Sequence, residues 1–217
     1  VTAEAPSGVA IITTIDSGEN NIVLDSGANA CLTAADVREA EALFADASIV
    51  LMQLETPVEA LVEAAALGKK AGAYVVLNPA PAPKKPLPEA LLKNVDLLIP
   101  NETEASYIAG IEVKGEDDIP AAMDEIQKLG VKDVIITVGS KGVCARLDGE
   151  LIRVPAFKVK AVDTTAAGDT FCGALCVALS QGKSLPDAIL FGNKAASISV
   201  TRRGAQMSMP HLDEVEL

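Results

Sequence analysis

Apolar and polar positions along this chain follow two different periods. Val9 to Ile15 is alternating and β-branched, and Asn21 to Leu24 repeats the pattern after the polar stretch 16–20, which predicts a β-hairpin. Ser26–Ala30 reads as a loop of small residues. Thr33 to Ala45 then predicts a helix with Thr33 as N-cap and Asp36 at its third position. Ser48 to Leu54 is an apolar run, the mark of a strand covered on both faces. Thr56-Pro57-Val58-Glu59 predicts a capping box, with Pro at the first position of a helix that runs to Ala71. A strand at 73–77, a Pro-rich loop, a short helix near 88–93, a strand at 95–99, a helix near 117–129 and a strand at 133–138 continue the series. Segments 143–147 and 151–155 flank a short turn and predict a second hairpin. A small apolar strand at 157–162 precedes a helix from about Gly168 to Leu179, and 185–200 forms the last helix. Strands alternating with helices predict βαβ units, right-handed crossovers and a mostly parallel sheet.

At 217 residues the chain suffices for one α/β domain, 1–217, with a sizeable core. A formal charge of −12 argues against nucleic acid or an anionic membrane as partner, since both require a positive face. Four Phe, two Tyr and no Trp leave little for base stacking. Cys31, Cys144, Cys172 and Cys176 form no CxxC pair, and His211 is the one histidine. Zinc ligation and a disulfide framework are therefore disfavoured, and free thiols in a cytoplasmic protein are expected. The apolar runs are too short for a membrane span, and no signal-peptide pattern opens the chain.

The candidate chemistry concentrates in Val162-Asp163-Thr164-Thr165-Ala166-Ala167-Gly168-Asp169-Thr170-Phe171. Small residues at a turn into a helix let the backbone approach a ligand closely. The first amides of that helix lack intrahelical acceptors and form an anion site. Asp169 lies in the same turn, so donors for a moving phosphoryl group and a base for an attacking hydroxyl are adjacent. The alternative is that Asp163, Thr165 and Asp169 only cap the helix. Glu55 follows a strand, where open α/β sheets bind ligands, or is a solvated acid. Asn101 with Glu104 reads as an N-terminal capping box. Gly139-Ser140-Lys141-Gly142 is a hairpin-like turn or a phosphate-approaching loop. Gly182-Lys183-Ser184 is not a P-loop, because Val177 stands where that motif requires Gly.

DTTAAGDTF at 163–171 resembles the D-T-x-[GA]-A-G-D-x-F signature of the ribokinase-like (PfkB) sugar kinases. SGANACLT (26–33), MQLETP (52–57), LNPAPA (77–82), PNETEA (100–105), TVGSKG (137–142) and TRRGAQMSMP (201–210) resemble the same family in the same order. The likeness covers essentially the whole chain. It implies a three-layer, Rossmann-like α/β fold with a mostly parallel sheet flanked by helices. The first βα units, most of the lid and a GGKGAN-type sugar turn are expected to be absent, as in a fragment.

The resemblance implies ATP-dependent phosphorylation of the ribose 5-hydroxyl. The alternatives are another acceptor of the family (deoxyribose, a nucleoside, fructose or a sugar acid) and a truncated, non-catalytic product. Asp169 is the expected base and a sugar contact, and the amides of Ala166, Ala167 and Gly168 are the expected anion hole. Ala166 replaces the Gly of the commoner signature. Glu55 is assigned to sugar hydroxyls. ATP is assigned to Asn101, Thr137, Val138, Gly139, Ser140, Lys141, Gly142, Gly168 and Asn193, the last standing where the family often carries His. Mg2+ is assigned through water to Glu104, and K+ to Asp163, Thr165, Ser199, Arg202, Gly204 and Ser208. Lids of this family pair, so a homodimer is also expected.

Overall fold

The structure, a computed structural model, describes residues 5–14 and 20–215. β1 (Val9–Thr14) and β2 (Asn20–Asp25) form a two-stranded sheet. Of the turn expected between them at 16–20, residues 16–19 lie outside the described residues, and Asn20 already opens β2. A short 3-10 turn at Gly27–Cys31 takes the place of the loop expected there. α1 (Ala34–Glu39) starts on the Thr33–Asp36 capping box, then tightens into a 3-10 turn at Glu41–Phe44, so the expected single helix is two pieces.

β3 (Ile49–Met52), α2 (Val58–Ala71), β4 (Tyr74–Leu77), α3 (Glu89–Leu92), β5 (Leu97–Leu98), α4 (Glu102–Ala109), α5 (Ile119–Lys128) and β6 (Asp133–Thr137) follow. β7 (Val143–Leu147) and β8 (Glu150–Val154) are joined by the two-residue turn Asp148–Gly149, whose φ values are 46° and 88°. α6 (Ala167–Ser180) and α7 (Leu185–Ser199) come last among the longer helices. One six-stranded sheet runs in the order β3-β4-β5-β6-β7-β8. β3 to β6 are parallel, with Met52 opposite Leu77, Leu77 opposite Leu98, and Leu98 opposite Val134.

Two expectations fail locally. α2 begins one residue later than the Thr56 box requires, so Pro57 becomes its N-cap and no side chain caps the helix. No strand forms at 157–162: Val162 N–H makes a 2.7 Å bond to Val200 O, and the residue is 47% exposed. Apolar character predicted a strand there, but a single bond to the end of a helix is not a ladder.

The chain divides into two compact units. The first takes the described residues up to Val9, Asp25–Val138 and Cys144–Arg153; the second takes Ala10 to Leu24, Gly139–Val143 and the chain from Val154 onward. In the first, Val75, Val76 and Leu77 of β4 are wholly buried, as both faces of a covered parallel strand must be. α5 buries Ile119, Ala122, Met123 and Ile126, one stripe at helical spacing, against that core. Ile119, Met123 and Ile126 contribute about 1.5–3 kcal/mol each, and Ala122 less. In the second, α6 packs on α7, and Gly192 makes room for the Phe171 ring: a β-carbon there would meet the ring at 2.8 Å.

Candidate active site

In the first unit the parallel strands present their carboxyl ends along one edge, the ligand-binding edge of an open α/β sheet. Glu55 follows β3 and is exposed, its N–H donating to Gln53 Oε1. Asn78 follows β4, and its side-chain amide donates to Ile99 O at 2.7 Å. Asn101 follows β5 and caps α4. Asn101 N donates to Glu104 Oε2 (2.8 Å), Asn101 Nδ2 to Glu104 Oε1 (3.0 Å), and Glu104 N to Asn101 Oδ1 (2.8 Å). Glu104 is only 5% exposed, while Asn101 is exposed. Thr137, at the end of β6, bridges to Asn101, and its N–H donates to Pro100 O at 2.9 Å. Val138 is buried beside it in sequence. The structure thus brings Asn101, Glu104 and Thr137 into one corner, with both oxygens of one carboxylate already held.

In the second unit Gly139–Lys141 forms a 3-10 turn that Gly142 closes, with Gly142 N donating to Gly139 O. Gly142 has a φ of 99°, and a β-carbon there would lie 2.1 Å from Val154 O and 2.5 Å from Ala156 N. Asn193, 6% exposed on α7, directs its side-chain amide to Val154 O (3.3 Å) and Pro155 O (3.4 Å). Its donors therefore go to the backbone stretch on which the Gly142 turn rests. Lys194 sits over the Phe157 ring at 5.1 Å.

α6 opens without a side-chain cap. Its N-cap, Ala166, has a φ of 59°, a left-handed conformation that a β-carbon makes costly. Ala167 N finds Thr164 O and Thr170 N finds Ala166 O, but the Gly168 and Asp169 amides have no acceptor among the described residues. Asp169 is exposed. It lines a cavity of about 250 Å³ whose other walls, Phe191, Ala195, Met209 and Leu212 among them, are largely apolar. Backbone amides of this kind bind anions, and the exposed Asp169 carboxylate lies beside them.

Asp163 ties this turn to the C-terminal loop. Its Oδ1 accepts from Thr165 N (2.9 Å), and its Oδ2 from Gly204 N (3.0 Å). Those bonds, the Gly204 amide first, hold its carboxyl below the usual carboxylate range. Ser199 and Ser208 are buried, their hydroxyls donating to Ala196 O and Ala205 O. The Arg202 guanidinium turns to Glu214, so a cation held here would use the backbone of Arg202. Among the described residues no three His, Cys, Asp or Glu side chains gather as a metal site, and no helix is long and apolar enough to cross a membrane.

Two features escaped the sequence. The left-handed Ala166 had a signal, since the family signature admits Gly there. The Asn78 tie also had one, in the Pro79 that follows it.

Residues 1–212 match the family described as pfkB family carbohydrate kinase. The chain is 46% identical over 208 residues to the ribokinase of Haemophilus influenzae, covering 96% of this chain and 67% of that protein. It is 43% identical to the ribokinase of Staphylococcus aureus, covering 99% and 70%. Among solved structures, ribokinase from Thermotoga maritima is 40% identical with a TM-score of 0.87, over 99% of this chain and 70% of that one. Arabidopsis thaliana ribokinase, solved with ribose and ATP, is 36% identical with a TM-score of 0.87, over 98% and 69%. With its signature turn, its sheet and a match over residues 1–212 in agreement, this chain belongs to the pfkB family of carbohydrate kinases.

Proposed function

We propose that this chain carries out ATP-dependent phosphorylation of ribose, transferring the terminal phosphoryl group to the 5-hydroxyl. The observation that carries the reading is the pair of unsatisfied amides, Gly168 and Asp169, beside the exposed Asp169 carboxylate. The carboxylate accepts the hydroxyl proton as the oxygen attacks phosphorus. These two amides hold charge on the transferring group, while the Ala167 amide of the same turn already donates to Thr164 O. The turn 139–142, with Thr137 and Asn101, binds ATP, and Glu55 holds sugar hydroxyls. Asn193 belongs to the proposed nucleotide contacts as well, its amide also donating to the 154–155 backbone.

Glu104 suits magnesium held through water. Asn101 fixes its carboxylate in place, and an ion that keeps most of its waters needs few protein carboxylates. The metal supplies charge neutralisation on the phosphates. Potassium suits the oxygens of Asp163, Thr165, Ser199, Arg202, Gly204 and Ser208, in loops that Asp163 already joins. The exposed Val9, Ile11, Ile12 and Val23 of β1 and β2 support self-association through that sheet.

A second acceptor has specific support. A deoxyribokinase of Salmonella typhimurium is 35% identical over 96% of this chain and 68% of that protein. ADP release with ATP, magnesium, potassium and a sugar panel tests both readings. Release with ribose supports the first, release with deoxyribose alone supports the second, and release with no sugar overturns both.

A further inference from the structure

We infer that Asn78 is a positioning residue that sets the Asn101–Glu104 corner; its link to magnesium rests on the function proposed above. Two prolines, Pro79 and Pro100, lie where β4 and β5 end. β4 and β5 are parallel, with Leu77 opposite Leu98, and Ile99 N donates to Leu77 O at 2.9 Å. In a parallel ladder each residue bonds the neighbours of its partner. The next donor in that series is the nitrogen of residue 79, aimed at Ile99 O. Residue 79 is proline and has no N–H. The ladder therefore fails where β5 must deliver Asn101 to the ligand edge.

Two side chains replace it. Asn78 Nδ2 donates to Ile99 O at 2.7 Å, standing in for the missing N–H. Asn101 N, which a continued ladder would send to residue 79, goes instead to Glu104 Oε2 at 2.8 Å. Asn78 is itself fixed, its N–H donating to Met52 O at 2.9 Å on β3. On the far side Pro100 also lacks a donor, and Thr137 N holds only its carbonyl. Ile99 O is thus the last point at which β4 grips β5 before the corner. Removing the Asn78 donor frees residues 99–101 to move, and the carboxylate of Glu104 moves with them.

The test uses Asn78→Asp, which keeps shape but loses the N–H donor, and Asn78→Ala. Amide exchange is followed by NMR on the unliganded full polypeptide. Exchange of the Asn101 and Thr137 amides should quicken by about tenfold, with Val76 and Ile135 amides unchanged. Equal exchange at Asn101 and Thr137 in variant and parent overturns the inference. In turnover, the magnesium concentration for half activity should rise about fivefold, the scale of one neutral hydrogen bond, while the sugar KM holds. A sugar KM that rises as much as the magnesium requirement overturns the assignment to the metal corner. If the parent releases no ADP with any sugar, the kinase reading fails while the exchange result still decides whether Asn78 positions the strand end.

Discussion

The turn 139–142 contains two left-handed glycines in very different surroundings, and their replacement by alanine separates conformational strain from steric exclusion. At Gly139 φ is 55° and nothing lies within 4 Å of the added methyl. Gly139→Ala therefore incurs only the left-handed penalty, about 1–2 kcal/mol. The reduced freedom of the unfolded chain offsets about 0.4–1 kcal/mol of it. At Gly142 φ is 99°, and the methyl would lie 2.1 Å from Val154 O, where ordinary contact begins at 3.4 Å. The 154–156 backbone must retreat by more than an ångström. Overpacking of this kind costs about 1–3 kcal/mol. The same carbonyl accepts from Asn193, so retreat also loses a hydrogen bond of about 1 kcal/mol. With the backbone strain, Gly142→Ala should lose about 3–5 kcal/mol, a large share of the ~5–15 kcal/mol that stabilises a typical domain. Equilibrium urea unfolding reads the difference: at a slope of about 2 kcal/mol per molar, the Gly142→Ala midpoint should fall about 1–2 M below that of Gly139→Ala. Midpoints for the two variants within about 0.3 M would refute the packing argument.

Other outcomes follow from the site. Asp169→Ala should lower turnover about 100-fold or more with ATP binding retained, measured by steady-state kinetics beside calorimetry; a loss under about tenfold removes Asp169 as the base. Glu104→Gln should raise the magnesium requirement, and an unchanged magnesium titration returns the pair to a helix cap. Glu214 is held down to about 2, by the Arg202 guanidinium first and then the His211 amide. A depressed carboxylate stabilises above its unfolded pKa, and that contribution disappears as the pH falls toward about 2. Thermal melts between about pH 5 and 2 should therefore decline more steeply for the parent than for Glu214→Gln, and parallel declines would count against the pair.

The parallel sheet was legible because β3 and β4 carry unbroken apolar runs and the helices alternate with the strands. The Thr33–Asp36 and Asn101–Glu104 caps were legible because a capping box is a local code, complete within four residues. Thr56 carried the same code and made no box, since Pro57 already had the extended backbone of an N-cap. At 157–162 composition misled, because a strand needs a neighbour and sequence shows only the propensity. The candidate site divides in the same way. Asp169 and its amides stood out as a short motif. The Asn78 tie depends on strand register, and the Asn193 contacts join residues 39 apart in sequence, and neither distance is written in local pattern.

Asp163 has a wider consequence. One carboxylate grips an amide two residues ahead and another forty-one residues on, so the loop after α7 and the entrance to α6 share a single rivet. Whatever orders one of them lowers the entropic cost of ordering the other, so an anion seated on the α6 amides would also quiet the distant loop.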